Sequence, residues 1–270
     1  MTSDGGRLID GATRLFCIIG DPVAQTGSPR VFTDRFRAAG RNAVLVPFHV
    51  PAAAFEQSIR GVMALANLDG IIITVPYKAR VIPCADRLLP TGRGIGAINA
   101  MRRERDGTWS GDNFDGRGLV RGLGEEGLSV ADARVMLIGA GGAGSAVAFA
   151  LAEAGAAAIT LFDIDGARAA SLAARVSEPY PRCAAQVDPP AAAGHDVLVN
   201  ATPTGMAPDD GLPAPLGPLD PGLLVIDVIT KPELTPLIRH ARSCGCRTVG
   251  GRAMLEGQAE EVMGFFGLLP

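Results

Sequence analysis

One short stretch limits the fold of this chain more than any other. Gly139-Ala140-Gly141-Gly142-Ala143-Gly144 fits the pattern G-x-G-x-x-G. It follows an apolar run at residues 135–138 and opens an Ala-rich run at 142–154, and a second β-type run at 158–162 completes a strand–turn–helix–strand unit. In that context the glycines let a backbone approach a pyrophosphate, and the helix N-terminus offers free N–H groups and a positive dipole end. Asp163 ends the second strand, 19 residues after Gly144, where a carboxylate accepts from a ribose 2′-hydroxyl. The next three residues, Ile164, Asp165 and Gly166, bring no cation, so NAD is expected over NADP.

The same stretch raises an alternative that has to be excluded. Residues 135–152 carry no charge for 18 positions, the length at which a membrane helix is considered. Four glycines at 139, 141, 142 and 144 break that run, so no membrane span is expected. Residues 1–12 hold no apolar segment of the secretory kind. Cys17, Cys84, Cys183, Cys244 and Cys246 are odd in number and scattered, without CxxC spacing. They read as reduced thiols of a cytoplasmic protein, with neither a disulfide framework nor a metal site. With 25 basic against 28 acidic residues the net charge is −3, which argues against nucleic acid as a partner.

Apolar and amphipathic runs alternate along all 270 residues, the pattern of a parallel α/β protein. Strands are expected at 15–20, 42–50, 70–75, 158–162, 196–200 and 223–228 besides 135–138. Residues 97–101 and 108–111 can pair across a polar turn. Helices are expected at 29–39, with Ser28 as N-cap, and at 53–66, 167–176, 235–243 and 253–266. The expected organisation is an N-terminal α/β domain over 1–126 and a dinucleotide-binding domain over 127–252. A last helix over 253–270 would pack back on the first half.

Four stretches of the first half are hard to explain as core alone: residues 25–29, 73–78, 96–99 and 112–116. The first two follow strand C-termini, where open α/β sheets bind ligands. These stretches also carry a resemblance that spans essentially the whole chain. Residues 20–29 fit G-(D/N)-P-x-A-x-S-x-S-P, 72–78 fit N-V-T-x-P-x-K, 96–99 fit G-A-x-N, and 111–116 fit G-x-N-T-D-G. Residues 139–143 fit G-A-G-G-A, 199–206 fit V-N-A-T-x-x-G-M, 227–237 fit D-x-V-Y-x-P-x-x-T-P-L, and 251–259 fit G-x-x-M-L-x-x-Q-A. In this order the motifs resemble the shikimate/quinate dehydrogenase family.

The resemblance implies a substrate domain, a Rossmann domain and a cleft between them. It implies Lys78 and Asp115 as the catalytic pair, and Thr26, Ser28, Thr74, Asn99, Thr230 and Gln258 as substrate contacts. It implies Gly139, Ala140, Gly141, Gly142, Ala143, Thr202, Val228 and Gly251 as cofactor contacts beside Asp163. The chemistry agrees: oxidising a secondary alcohol needs a hydride acceptor and a group that takes the hydroxyl proton, and a lysine beside a carboxylate can shuttle it. Asp115 is also placed to cap the helix that follows.

This chain departs from the pattern at Gln25, Thr26, Ile72, Phe114 and Thr230, where the family has His, Ser, Asn, Thr and Tyr. The expected substrate is therefore a cyclic hydroxy acid (shikimate, quinate or a relative) held in a more apolar pocket. Two other readings remain: another reductase of this architecture, such as a methylenetetrahydrofolate dehydrogenase, or a noncatalytic ligand sensor. A monomer and a homodimer are both compatible with the sequence. His49, His195 and His240 fall in no motif.

Overall fold

The computed structural model describes residues 9–269. The reading of residues 1–12 as free of a secretory segment thus falls mostly outside the described residues. The first half folds as β1 (Arg14–Gly20), α1 (Ser28–Ala38), β2 (Ala43–His49), α2 (Phe55–Met63), β3 (Leu68–Ile73), β4 (Arg87–Leu88), α3 (Pro90–Ile95), β5 (Ala100–Arg103), β6 (Trp109–Asp112) and α4 (Asp115–Glu125). Its sheet runs β2-β1-β3-β5-β6-β4. The inner strands β1 and β3 carry the apolar runs 15–19 and 71–73, whose residues enter the clusters on both faces of the sheet.

This sheet is mixed rather than wholly parallel. β5 runs antiparallel to both β3 and β6. For β5 and β6 the reason is local: the polar turn after Arg103 closes through Glu104 N–H donating to Thr108 O at 2.8 Å, as the pairing of these two runs led us to expect. A hairpin of this length leaves no room for the crossover that parallel pairing needs.

The second half folds as β7 (Arg134–Ile138), α5 (Gly142–Glu153), β8 (Ala158–Phe162), α6 (Gly166–Ser177), β9 (Ala184–Val187), β10 (Val197–Asn200), β11 (Leu224–Asp227), α7 (Pro236–Ser243), β12 (Arg247–Val249) and α8 (Gly251–Phe265). All neighbours in the order β12-β11-β10-β7-β8-β9 are parallel. Chain direction across the sheet reverses between β7 and β10, and the glycine-rich loop leaves β7 at that point, where doubly wound sheets bind ligands. The sequence did not mark β4, β9 and β12. They are short edge strands, and β9 is mostly exposed, so no apolar run announces them.

Helix α8 leaves the second sheet and crosses back to the first half. Its Ala259, Val262, Met263, Phe265 and the following Phe266 pack with Phe16, Phe32 and Phe36. Phe16 and Phe266 pack with their rings tilted and centroids 4.9 Å apart. Each such fully buried side chain contributes roughly 1.5–3 kcal/mol, enough to fix where the last helix lies. Glycines set its approach to α4: a Cβ on Gly257 would stand 2.2 Å from Gly118 O, and one on Gly122 would stand 2.4 Å from Ala253 O. On another face of α4, a Cβ on Gly116 would stand 2.1 Å from Ala146 O of α5. Helix α4 is thus gripped by both α8 and α5 at backbone contact.

All five cysteines are free, and burial pushes the Cys17 thiol up to about 12. No helix among the described residues is long and apolar enough to cross a membrane. No group of three or more metal-ligating side chains occurs among them.

Candidate active site

The first half brings three polar side chains together, Lys78, Asn99 and Asp115, and α8 adds a fourth, Gln258. The segment after β3 is pinned by Tyr77, which is fully buried, stacks on Phe55 at 4.2 Å and donates its hydroxyl to Val50 O at 2.5 Å. Lys78 comes next, and its carbonyl accepts from Ile98 N–H at 2.8 Å. So anchored, Lys78 Nζ donates to Asp115 Oδ2 at 2.5 Å. The lysine side chain is 13% exposed and the aspartate 3%, so the pair is shielded from water yet still open on the lysine side. A charge-assisted hydrogen bond of this length is among the stronger ones a protein makes.

Asp115 Oδ1 accepts from Asn99 Nδ2 at 2.8 Å, and the same amide donates to Gln258 Oε1 at 2.9 Å. Asn99 Oδ1 accepts from Phe114 N–H at 2.9 Å. Both amide hydrogens of Asn99 are therefore spent on orienting Asp115 and Gln258. Two expectations about caps need correction. Asp115 is the first residue of α4 and Phe114 its N-cap, because the carboxylate turns away to Lys78 and Asn99. Ser28 is the first residue of α1 and Gly27 the N-cap, so the Ser28 side chain is not used as a cap.

The second half contributes the glycine loop. Gly139 has φ +101°, the left-handed region that side chains disfavour. A Cβ on Gly144 would stand 1.8 Å from Gly139 O, so only glycine allows α5 to start this close to the loop. Gly141 has open space where its Cβ would be, which leaves the N-terminus of α5 accessible to a pyrophosphate. The residues present fit a nicotinamide dinucleotide. Gly142 meets the other half: its Cβ position lies 3.4 Å from Lys78 Cβ.

Asp163 lies beside this loop, with its carboxylate already engaged. Oδ2 accepts from Ala140 N–H at 2.7 Å and Oδ1 from Asp165 N–H at 2.9 Å. The sequence did not point to Arg168, which lies two positions beyond Gly166. Its guanidinium lies 3.8 Å from Asp163 and 3.4 Å from Asp165. The signal was the three-residue spacing from Asp165 on the first turn of α6.

A buried network supports the loops after β10 and β11. Asp227 Oδ1 accepts from Asn200 Nδ2 at 3.1 Å, and its Oδ2 accepts from the Thr235 hydroxyl at 2.7 Å. Burial pushes the Asp227 carboxyl up from its ordinary value. The Thr202 hydroxyl donates to Asn200 Oδ1 at 2.7 Å, so it braces the loop that carries it.

A cavity of about 290 Å³ joins the two halves. Thr26, Ser28, Thr74, Lys78, Asn99, Asp115 and Gln258 line it from the first half and from α8. Gly141, Gly142, Ala143, Thr202, Val228 and Thr230 line it from the second. Gly139, Ala140 and Asp163 sit behind this wall. Gly251 lines a neighbouring cavity that shares Ile229 and Thr230 with the first. Its own Cβ would stand 2.3 Å from Val228 O, which explains the glycine.

Of the departures from the family pattern, Gln25, Thr26, Ile72 and Thr230 line the cavity. Phe114 does not: it packs on Phe265 at 5.1 Å, on the side of α4 that faces away. The expectation that it remodels the substrate pocket is corrected, since an aromatic ring there gains more from the apolar core beneath α8. The histidines stay outside as well. His49 pairs with Asp21 at 2.8 Å, and His195 meets the Thr160 hydroxyl at 3.0 Å.

Known proteins resemble this chain in sequence and in fold. The family model described as "Shikimate dehydrogenase substrate binding domain" matches residues 18–101. A Rubrobacter xylanophilus protein named shikimate dehydrogenase (NADP(+)) is 38% identical over 260 residues, covering 94% of this chain and 90% of its own. The crystal structure of shikimate dehydrogenase from Aquifex aeolicus superposes with TM-score 0.85 at 30% identity, covering 96% of this chain and 94% of that one. Quinate dehydrogenase from Corynebacterium glutamicum, solved with NAD, superposes with TM-score 0.81 at 29% identity, covering 94% and 93%. With the relatives matched along nearly their whole length, the chain belongs to the shikimate/quinate dehydrogenase family of NAD(P)-dependent oxidoreductases.

Proposed function

We propose that this enzyme moves a hydride between NAD and a ring hydroxyl or ketone of shikimate, quinate or a close relative, with Lys78 as proton shuttle and Asp115 as its partner. The observation that carries this reading is the shielded Lys78–Asp115 pair placed against Gly142 of the dinucleotide loop. A bound nicotinamide supplies the hydride acceptor or donor. During reduction the Lys78 ammonium gives a proton to the carbonyl oxygen and becomes a neutral amine, and during oxidation the neutral amine takes the substrate hydroxyl proton and becomes the ammonium. Asp115 holds the lysine in place and balances its charge. Asn99 holds Asp115 and Gln258, while Ser28, Thr26, Thr74, Gln258 and Thr230 are our candidates for gripping the ring and its carboxylate.

Gly139, Ala140, Gly141, Gly142 and Ala143 would cradle the pyrophosphate, with Asp163 behind them and Thr202, Val228 and Gly251 towards the nicotinamide. NAD is favoured because Asp163 and Asp165 both engage Arg168, the nearby cation a 2′-phosphate would need. The relatives named for NADP make NADP the alternative. We divide the chain into a substrate domain over 1–126, a dinucleotide domain over 127–252 and a returning helix over 253–270, and place the enzyme in the cytoplasm. The test is a panel of shikimate, quinate and 3-dehydroshikimate with each dinucleotide. Turnover favouring NAD is the expected result. Binding of these acids without turnover with either dinucleotide would instead support a ligand-sensing relative.

A further inference from the structure

The catalytic cavity is polar at one end and apolar along its floor. Ile18 of β1 and Ile72 of β3 are direct cross-strand neighbours with side chains on the same sheet face. Both line the cavity, at 1% and 7% exposure. Leu255 of α8 joins them over Gly27, whose Cβ position lies 2.9 Å from Leu255 Cδ2. All three line the cavity, and none carries a side-chain donor or acceptor. The polar groups lie beyond the strand ends, and Asn99 has no amide hydrogen left to offer this floor.

A ring hydroxyl pressed on this floor would leave water and find no partner there. Left unpaired, such a group weakens binding roughly 5- to 150-fold. A C–H edge of the same ring would lose nothing and bury apolar surface. Resting on the dehydrogenase reading above, we infer that Ile72, with Ile18, selects a cyclic hydroxy acid that carries hydrogen rather than hydroxyl on the ring edge facing the floor. The substrate class is thus a ring acid one hydroxyl poorer than shikimate, with the reacting hydroxyl kept at Lys78.

Initial rates of the full chain on shikimate and on the analogues that each lack one of the hydroxyls not oxidised test this. One deoxy analogue is expected to exceed shikimate in kcat/KM by about tenfold, mainly through KM. Ile72→Asn should bring the two to parity or invert them. Ile72→Thr reads the same ratio if the asparagine variant fails to fold. Shikimate being the best substrate of the unmodified enzyme, with a ratio that neither variant moves, would overturn the inference while leaving the dehydrogenase reading intact. No turnover of any ring acid with either dinucleotide would overturn that reading and the inference with it.

Discussion

Single residues in this site do their work through the groups that hold them. Asp163 shows it best. Its position after the second strand marks it in the sequence as the ribose acid, but the spacing could not reveal that its carboxylate also ties Ala140 N–H to the strand end. Removing the charge and removing the hydrogen bond are therefore separate experiments. Asp163→Asn keeps an acceptor for Ala140 and loses the charge, so the NAD-to-NADP ratio of kcat/KM should fall on the order of tenfold, the equivalent of about 1.4 kcal/mol of repulsion. Asp163→Ala should weaken both dinucleotides, because the loop loses its tether. Equal ratios in the wild type and Asp163→Asn would show that the carboxylate does not discriminate. Lys78 and Asp115 were expected together from the family resemblance, and their side chains do meet. Phe114 was misread because the motif gives its place in the chain but not the direction its ring takes from α4.

At the scale of elements, glycine decides how closely helices approach. Gly257→Ala places a methyl 2.2 Å from Gly118 O, where backbone has to yield. Overpacking of this kind costs about 1–3 kcal/mol beyond the roughly 1 kcal/mol that alanine gains in helix propensity. The denaturation midpoint should drop, and kcat with it, since Gln258 follows directly in α8. An unchanged midpoint would mean that α4 and α8 are not held at backbone contact.

A second element-scale prediction concerns the strand starts of β7 and β10. Asp196 receives Arg134 Nη2 at 3.0 Å and Arg134 N–H at 2.9 Å, and this pairing brings its carboxyl down to about 2 from 3.8. A lowered folded-state value means that the contribution is complete above the unfolded value and is lost as pH falls through the folded one. Asp196→Asn should therefore be less stable than wild type near neutral pH, with the gap closing as pH falls from 3.8 towards 2. A gap that stays constant with pH would remove the ion pair from the account. The helices and inner strands of this half were legible from apolar runs, whereas its edge strands β9 and β12 were not. The mixed direction of the first sheet was not, because alternation of strands and helices says nothing of a hairpin inserted among them.

For the whole molecule, two sheets meet along one cavity and each supplies what the other lacks. The first half brings the Lys78–Asp115 pair that we propose handles the proton, with the candidate ring contacts, and the second brings the glycine loop. Helix α8 passes from the second sheet to the first and delivers Gln258 to Asn99, which holds Asp115. That return was readable as a helix with no strand after it, whereas the residues that line the cavity from both halves could be gathered only by the folded chain. The central claim is that Lys78 carries the proton, and it is tested most directly by comparing Lys78→Ala with wild type in dinucleotide binding and in shikimate-dependent reduction of NAD and NADP. The account predicts that kcat falls about 10²–10⁴-fold while dinucleotide affinity stays near that of wild type. A variant that turns over as fast as wild type would contradict it.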